Sequence, residues 1–213
     1  MDLKIAVLIP HRNDRPKFLS HLRFFLDSQT LKPDLIHFVD YKAETKEKDI
    51  TQRYRRGYDF LRNKGIDVIC LLEVDDWYRS DYIEIMVKEW EANGKPEIFG
   101  LRRTVYYHIG LKKFTSMNHN NRSSAFSTII KADLPIEWCN DNEPFTDIYL
   151  WKQLKGKTFF TIENICLGIK HGEGLCGGSG HKNTFPYQYY DNNYSFLRSI
   201  VDKKSFDFYT LGK

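Results

Sequence analysis

No stretch of this chain approaches the roughly 20 consecutive apolar residues that a helix needs to cross a bilayer. The opening, MDLKIAVLIPHRND, has an apolar stretch too short for a secretory leader and no small-residue cleavage site behind it. A cytoplasmic protein is expected. The four cysteines (Cys70, Cys139, Cys166 and Cys176) show no CxxC spacing. Neither a zinc site nor a disulfide framework is indicated, and they read as reduced, small apolar side chains. Repeats, low-complexity tracts and linkers are missing. PHRNDRPKF, after the first apolar run, has no glycine, which speaks against a glycine- and lysine-rich phosphate loop there. The later glycine-rich stretch GIKHGEGLCGGSGH lacks the GK[ST] ending of a Walker motif. Acidic residues are absent from 98–132, which carries Arg102, Arg103, Lys112, Lys113, Arg122 and Lys131.

What is present describes a globular chain. It has 213 residues, 41% of them hydrophobic and 15% aromatic, with a formal charge of +4. That length buries one substantial core, so a single domain over 1–213 is expected. The mild positive excess favours anionic ligands without specifying nucleic acid. Residues 4–9 (KIAVLI), 35–39 (LIHFV) and 67–72 (DVICLL) are short apolar runs of the kind that form strands covered on both faces. Between and after them lie helical patterns: 16–27 with an early Pro16, 47–64 stopped by Gly65, and 80–93 with Ser80 as its cap. Another helix is expected over 146–155. Residues 168–181 read as a flexible loop, and the aromatic tail PYQYYDNNYSF as a segment that packs back as a short helix.

Strand–helix alternation predicts an α/β fold: a Rossmann-like, mostly parallel sheet flanked by helices on both faces. Ligands of such sheets bind beyond the carboxyl ends of the strands. Three polar clusters fall there: His11-Arg12-Asn13-Asp14, Asp40, and Glu73/Asp75/Asp76 in CLLEVDDWY. Carboxylates so close together repel one another and contribute nothing to a core. Divalent ions such as Mg2+ and Mn2+ compensate such charge and leave positions open for substrate phosphates. The plainer reading is a solvated turn in which Asp76 caps a helix.

At this point a family pattern emerges. IAVLIPHRND, HFVDYK, GIDVICLLEVDDWYRSDYIE, SSAFSTIIKADLP and EPFTDIYLWKQLKGK, in that order over roughly 4–172, resemble the family 2 glycosyltransferases of the GT-A fold. The resemblance implies a nucleotide-binding half at 1–97, an acceptor and catalytic half at 98–181, and a C-terminal extension at 182–213. It places Pro10, His11 and Arg12 at the edge of the nucleotide base and Asp40 on a uracil-type base. Glu73-Val74-Asp75 matches the DxD motif, with Glu where the family usually has Asp, and Asp76 is the frequent extra acid. Asp75 would be the principal metal ligand; Glu73 or Asp76 would face the ribose or metal-bound water. Asp147 matches the catalytic base, preceded by Thr146 where the family commonly has Glu.

The resemblance also implies transfer of a sugar from a nucleotide diphosphate donor, a UDP-sugar by the Asp40 match, with inversion at the anomeric carbon. The cofactor implied is Mn2+ or Mg2+. Asp147 would take the proton of an acceptor hydroxyl; its plainer reading is an acid in the first turn of a helix. His171, in the glycine-rich loop, would complete the metal site, with His181 a second candidate, and Lys170 would touch phosphate. The acceptor is expected to be a glycan or a lipid-linked sugar, with a modified DNA base as a further option. Aromatics near the basic segment (Tyr106, Tyr107, Phe114, Tyr187, Tyr189, Tyr190) read as stacking platforms or as core. Two other functions use the same residues differently. A nucleotidyltransferase on a related sheet would attack at phosphorus, and a non-catalytic carbohydrate or nucleic-acid binding module would use the basic aromatic segment.

Overall fold

Apolar runs and amphipathic helices alternate through the computed structural model of the chain, which describes residues 3–42, 44, 48–172 and 186–211. The first half runs β1 (Ile5–Pro10), α1 (Pro16–Ser28), β2 (Leu35–Val39), α2 (Ile50–Leu61), β3 (Val68–Leu71), β4 (Trp77–Tyr78) and α3 (Tyr82–Ala92). Next come β5 (Ile98–Leu101), β6 (Arg103–His108), β7 (Lys113–Asn118), a 3-10 turn (Ala125–Ser127) and β8 (Thr128–Lys131). The chain continues through α4 (Thr146–Gln153), β9 (Gly156–Phe159), β10 (Cys166–Lys170), β11 (Tyr189–Tyr190), α5 (Ser195–Ile200) and α6 (Lys203–Leu211).

The larger sheet has the order β2-β1-β3-β8-β5-β9. Only β8 opposes its neighbours; every other pairing is parallel, as the alternation predicts. All six residues of β1 are buried, and its alternate side chains enter different layers. Ile5, Val7 and Ile9 pack with Phe18, Leu22 and Phe25 of α1 and Met86 and Trp90 of α3. Ala6 and Leu8 pack with Tyr54, Tyr58 and Leu61 of α2 and Leu150 and Trp151 of α4. A strand covered on both faces has no polar side to show, which explains the unbroken apolar run. Close approach matters on the α2 face: a Cβ on Gly57 would lie 2.1 Å from Leu8 Cδ1.

The second sheet has the order β11-β7-β6-β10-β4. Its β6–β7 hairpin runs from Arg103 against Asn118 to His108 against Lys113. Asp191 fastens the C-terminal segment to it. One carboxylate oxygen accepts from Tyr107 Oη at 2.9 Å and from the Leu197 N–H at 3.1 Å; the other accepts from Ser195 Oγ at 3.1 Å and the Phe196 N–H at 3.0 Å. Phe196 then stacks on Phe114 with centroids 3.7 Å apart.

Several sequence expectations are corrected. Helix α3 starts at Tyr82 with Asp81 as its flanking residue, and no side chain, Ser80 included, caps it. Helix α2 begins at Ile50 rather than 47 and ends at Leu61; Gly65 reverses the chain beyond it with φ +67. Gly168 is not loop but strand, paired with Tyr106, whose ring would lie 2.6 Å from a Cβ there. The basic segment 98–132 forms four strands and a 3-10 turn. The aromatic tail 186–196, expected to form a short helix, instead carries the two-residue β11, and only its last two residues enter α5. Most of the glycine-rich stretch, including Cys176 and His181, lies outside the described residues. Cys70, Cys139 and Cys166 are free thiols. No helix among the described residues is long and apolar enough to cross a membrane.

Candidate functional site

The carboxyl ends of β1 and β2 are drawn together by one buried arginine. Arg53 of α2 donates to the carbonyls of His11, of Val39 at 3.1 Å and of Tyr41 at 3.0 Å. Its other nitrogens reach Asp49 Oδ2 at 3.0 and 2.8 Å, and its guanidinium lies 4.0 Å from the Tyr41 ring centroid. Asp49 in turn accepts from Arg12 Nη1 at 2.7 Å. A crevice opens beside this knot, lined by Pro10, Arg12, Arg15, Asp49, Glu73, Asp75 and Lys170.

The turn after β3 sends its carboxylates in different directions. Asp75 faces the crevice, where its Oδ2 accepts from Arg15 Nη1 at 2.8 Å and from His171 Nε2 at 2.8 Å. Burial opposes its ionisation, but the His171 hydrogen bond and the Arg15 charge prevail and hold the carboxyl well below the usual range. Its Oδ1 makes no hydrogen bond among the described residues. Asp76 turns inward and is 1% exposed. Its Oδ1 accepts from the Ile169 N–H at 2.7 Å, which ties the turn to β10, while its Oδ2 is buried with no hydrogen-bond partner among the described residues. Burial, then the charge of Glu73, push the Asp76 carboxyl well above its ordinary range. Glu73 is half-buried, near Tyr54 Oη at 3.4 Å. Burial and then Asp75 raise it to about 7, against the opposing pull of Lys170. Burial works against the charge on Lys170, and Asp76 and Glu73 outweigh it. The clustered charge is thus reduced twice over: two carboxyls tend toward the neutral form, and Arg15 and Lys170 offset the rest.

Glu73 and Lys170 also line a second cavity, with Tyr106, His119, Arg122, Phe126, Phe145 and Asp147. Asp147 stands in the first turn of α4, and its Oδ2 accepts from Arg122 Nη1 at 2.8 Å. Burial raises its carboxyl above the ordinary range, with Arg122 opposing. His119 Nε2 lies 2.7 Å from Thr104 Oγ1. Phe145 is 56% exposed at the mouth of the cavity. The two cavities share a wall. A carboxylate suited to taking a proton is on one side, and a cation-lined crevice suited to an anion is on the other.

Most of the sequence-derived residues meet at this rim, with exceptions. Pro10, Arg12, Glu73, Asp75 and Lys170 line the crevice, and Asp147 lines the adjoining cavity. His171 packs on Phe18, with ring centroids 4.4 Å apart, while holding Asp75. His11 is buried and lines neither cavity; Asp40 is exposed past the end of β2 and lines neither. Asp49, not Asp40, is the acid of that region that faces the crevice. Arg15, Asp49, Arg53 and Arg122 were not singled out from sequence for the roles they occupy. Of the aromatics, Tyr106 lines the second cavity, Tyr107 is core, and Tyr189 and Tyr190 are exposed.

Among the described residues, no group of three or more His, Cys, Asp or Glu side chains is arranged to hold a metal ion. Asp75 and His171 offer two donors side by side, of which the carboxylate is the kind that Mg2+ and Mn2+ take. Such ions take one or two protein ligands and fill the remaining positions with water and substrate phosphate oxygens.

A scan of protein-family models finds no match, and a search of curated proteins by sequence finds none. Solved structures do match. The S. aureus TarS 1–349 structure in complex with UDP-GlcNAc aligns with 83% of this chain and 61% of its own, at TM-score 0.53 and 11% identity. The same protein in complex with UDP aligns over 78% and 60%, at TM-score 0.52 and 11% identity. A197 from STIV aligns over 74% and 82%, at TM-score 0.44 and 14% identity. The chain spans about three fifths of the TarS fragment. Its fold is that of the GT-A-type nucleotide-diphospho-sugar transferases. At such identities the likeness is one of fold.

Proposed function

We propose that the protein is a glycosyltransferase that moves a sugar from a nucleotide diphosphate donor to an acceptor hydroxyl with inversion. The observation that carries this reading is the shared wall. Glu73 and Lys170 separate a crevice edged by Arg15 and Asp75 from a cavity that holds Asp147. A diphosphate in the first and a hydroxyl in the second would stand on opposite sides of the transferred sugar. A UDP-sugar is the first donor to try, since the fold neighbour TarS carries UDP and UDP-GlcNAc.

Each side chain has a definite task in this scheme. Asp147 accepts the acceptor's proton, and its raised affinity for protons suits a general base. Arg122 holds that carboxylate in one orientation. Lys170 lines both cavities and places positive charge at the boundary where the leaving diphosphate becomes more negative. Asp75 and His171 would hold the divalent ion, Mn2+ or Mg2+. When bound, such an ion neutralises charge on the leaving diphosphate. Tyr106, partly exposed in the second cavity, has a ring against which an acceptor sugar or base would pack. A glycan or lipid-linked sugar is the favoured acceptor, with a modified DNA base as the alternative.

The experiment is a screen of nucleotide sugars for release of nucleoside diphosphate, with Mn2+ and with EDTA, on the wild type and on Asp147→Asn. The expected result is release by the wild type, with turnover lost and nucleotide affinity kept in the variant. Pyrophosphate release from a nucleoside triphosphate and a sugar phosphate would instead assign nucleotidyl transfer. Salt-sensitive ligand binding that Asp147→Asn leaves intact, without turnover, would assign a binding module.

A further inference from the structure

The loop after β1 supplies a cation that the family resemblance does not assign. Arg15 Nη1 donates to Asp75 Oδ2 at 2.8 Å, with the two side chains 19% and 16% exposed. Its Nε is buried without a hydrogen bond, with Asp14 Oδ1 at 3.5 Å. Its guanidinium lies 5.8 Å from the Phe18 centroid, on the residue that also packs against His171. Arg15 therefore stands on the carboxylate oxygen that His171 also reaches, and it lines the crevice. Lys170 lines the same crevice, and its Nζ makes no hydrogen bond or ion pair among the described residues.

We infer that Arg15 and Lys170 form a resident cation pair for the donor's diphosphate, and that Arg15 occupies Asp75 until ligand or metal arrives, so the crevice binds a nucleoside diphosphate without a divalent ion. This rests on the donor-site reading above and extends it. A guanidinium is always charged and carries five N–H donors in a planar fork. With Nη1 on Asp75 and Nε buried beside Asp14, Nη2 is the donor left for phosphate oxygens. A metal ion held by Asp75 would neutralise the same carboxylate that Arg15 neutralises, so the two cations would substitute for one another rather than add. Arg15 then matters most when metal is scarce.

Calorimetric titration of the full chain tests this. The probes are inorganic pyrophosphate, UDP, GDP, CDP and ADP, each in EDTA and in MnCl2. The proteins are wild type, Arg15→Gln, Arg15→Lys, and Lys88→Gln as a surface-charge control on α3. The expected result is measurable binding by the wild type in EDTA. Arg15→Gln should weaken it about 10- to 100-fold, the size of a lost hydrogen bond to a charged group, and by less than about threefold in MnCl2. Arg15→Lys should fall between, and Lys88→Gln should match wild type. Binding by the wild type in MnCl2 but not in EDTA leaves the donor site standing and overturns the inference. Equal weakening of Arg15→Gln in both conditions also overturns it. No binding of any probe in either condition overturns the donor-site reading and the inference with it. Because the wild type alone supplies the EDTA result, a misfolded variant does not shield the inference.

Discussion

Replacing Arg53 with methionine should unfasten the rim from which the site is built. The guanidinium is 1% exposed on its side chain, and it serves three backbone carbonyls and Asp49. A buried polar group stripped of its partner costs about 1–3 kcal/mol, and removing one half of a buried ion pair costs about 3–5 kcal/mol. The full sum overstates the loss, since water enters and Arg12 still holds Asp49. A net loss of about 4 kcal/mol is the reasoned value. With a urea dependence of about 2.5 kcal/mol per molar, the unfolding midpoint should fall by about 1.5 M. Urea denaturation followed by circular dichroism measures it. In the double variant Arg53→Met/Asp49→Asn the losses should add to less than the sum of the singles, because the two residues act as one unit. A midpoint shift below about 0.4 M, equivalent to roughly 1 kcal/mol, would refute the reasoning.

Other consequences concern charge and packing. In Arg122→Gln, burial of Asp147 is opposed only by its backbone hydrogen bonds, so its carboxyl should titrate at higher pH than in the wild type, and the acid limb of any transfer profile should move upward. Carbon-detected NMR of the Asp147 carboxyl checks this, and an unchanged or lower titration point contradicts it. His21 and His119, buried and each lowered from 6.5 to about 4, are neutral in the fold and bind protons more readily when unfolded. Their contribution is complete above pH about 6.5 and is lost as pH falls toward about 4, by up to about 3 kcal/mol each. Urea midpoints at pH 7 and pH 4.5 read the loss, and His21→Phe should reduce it; a flat dependence would count against the burial argument. Gly57→Ala should lower the melting temperature despite alanine's better helix propensity, because the new methyl meets Leu8 Cδ1 at 2.1 Å. An unchanged or raised melting temperature would mean that α2 moves away from β1 at little cost.

The elements legible in the sequence are those whose residues satisfy a single local rule. IAVLIP reads as a strand because both of its faces are covered, and α1 because Phe18, Leu22 and Phe25 recur on one side. Burial does not alternate along β6, where Thr104 and His108 are buried beside Val105 and Tyr107, or along β7, where only Thr115 is buried, so no period of two marked them as strands. Gly168 reads as loop locally, yet serves as the gap in which the Tyr106 ring sits. The site divides in the same way. The run Glu73–Asp76 announces itself, but the side chains bonded to Asp75, Arg15 and His171, are 60 and 96 residues away in the chain. Asp40 follows β2 as the pattern requires, yet it is exposed and lines neither cavity, and the acid of that region that lines the crevice is Asp49. Pairings made by tertiary placement leave no local trace.

A crystal structure of the full chain with UDP and MnCl2 addresses the donor crevice most directly, with GDP, CDP and ADP tried in the same way. Diphosphate density between Asp75, Arg15 and Lys170, with the base beside Pro10 and Arg12, is the outcome the proposed donor site requires. A nucleotide seated elsewhere, with this crevice empty at saturating ligand, would contradict it.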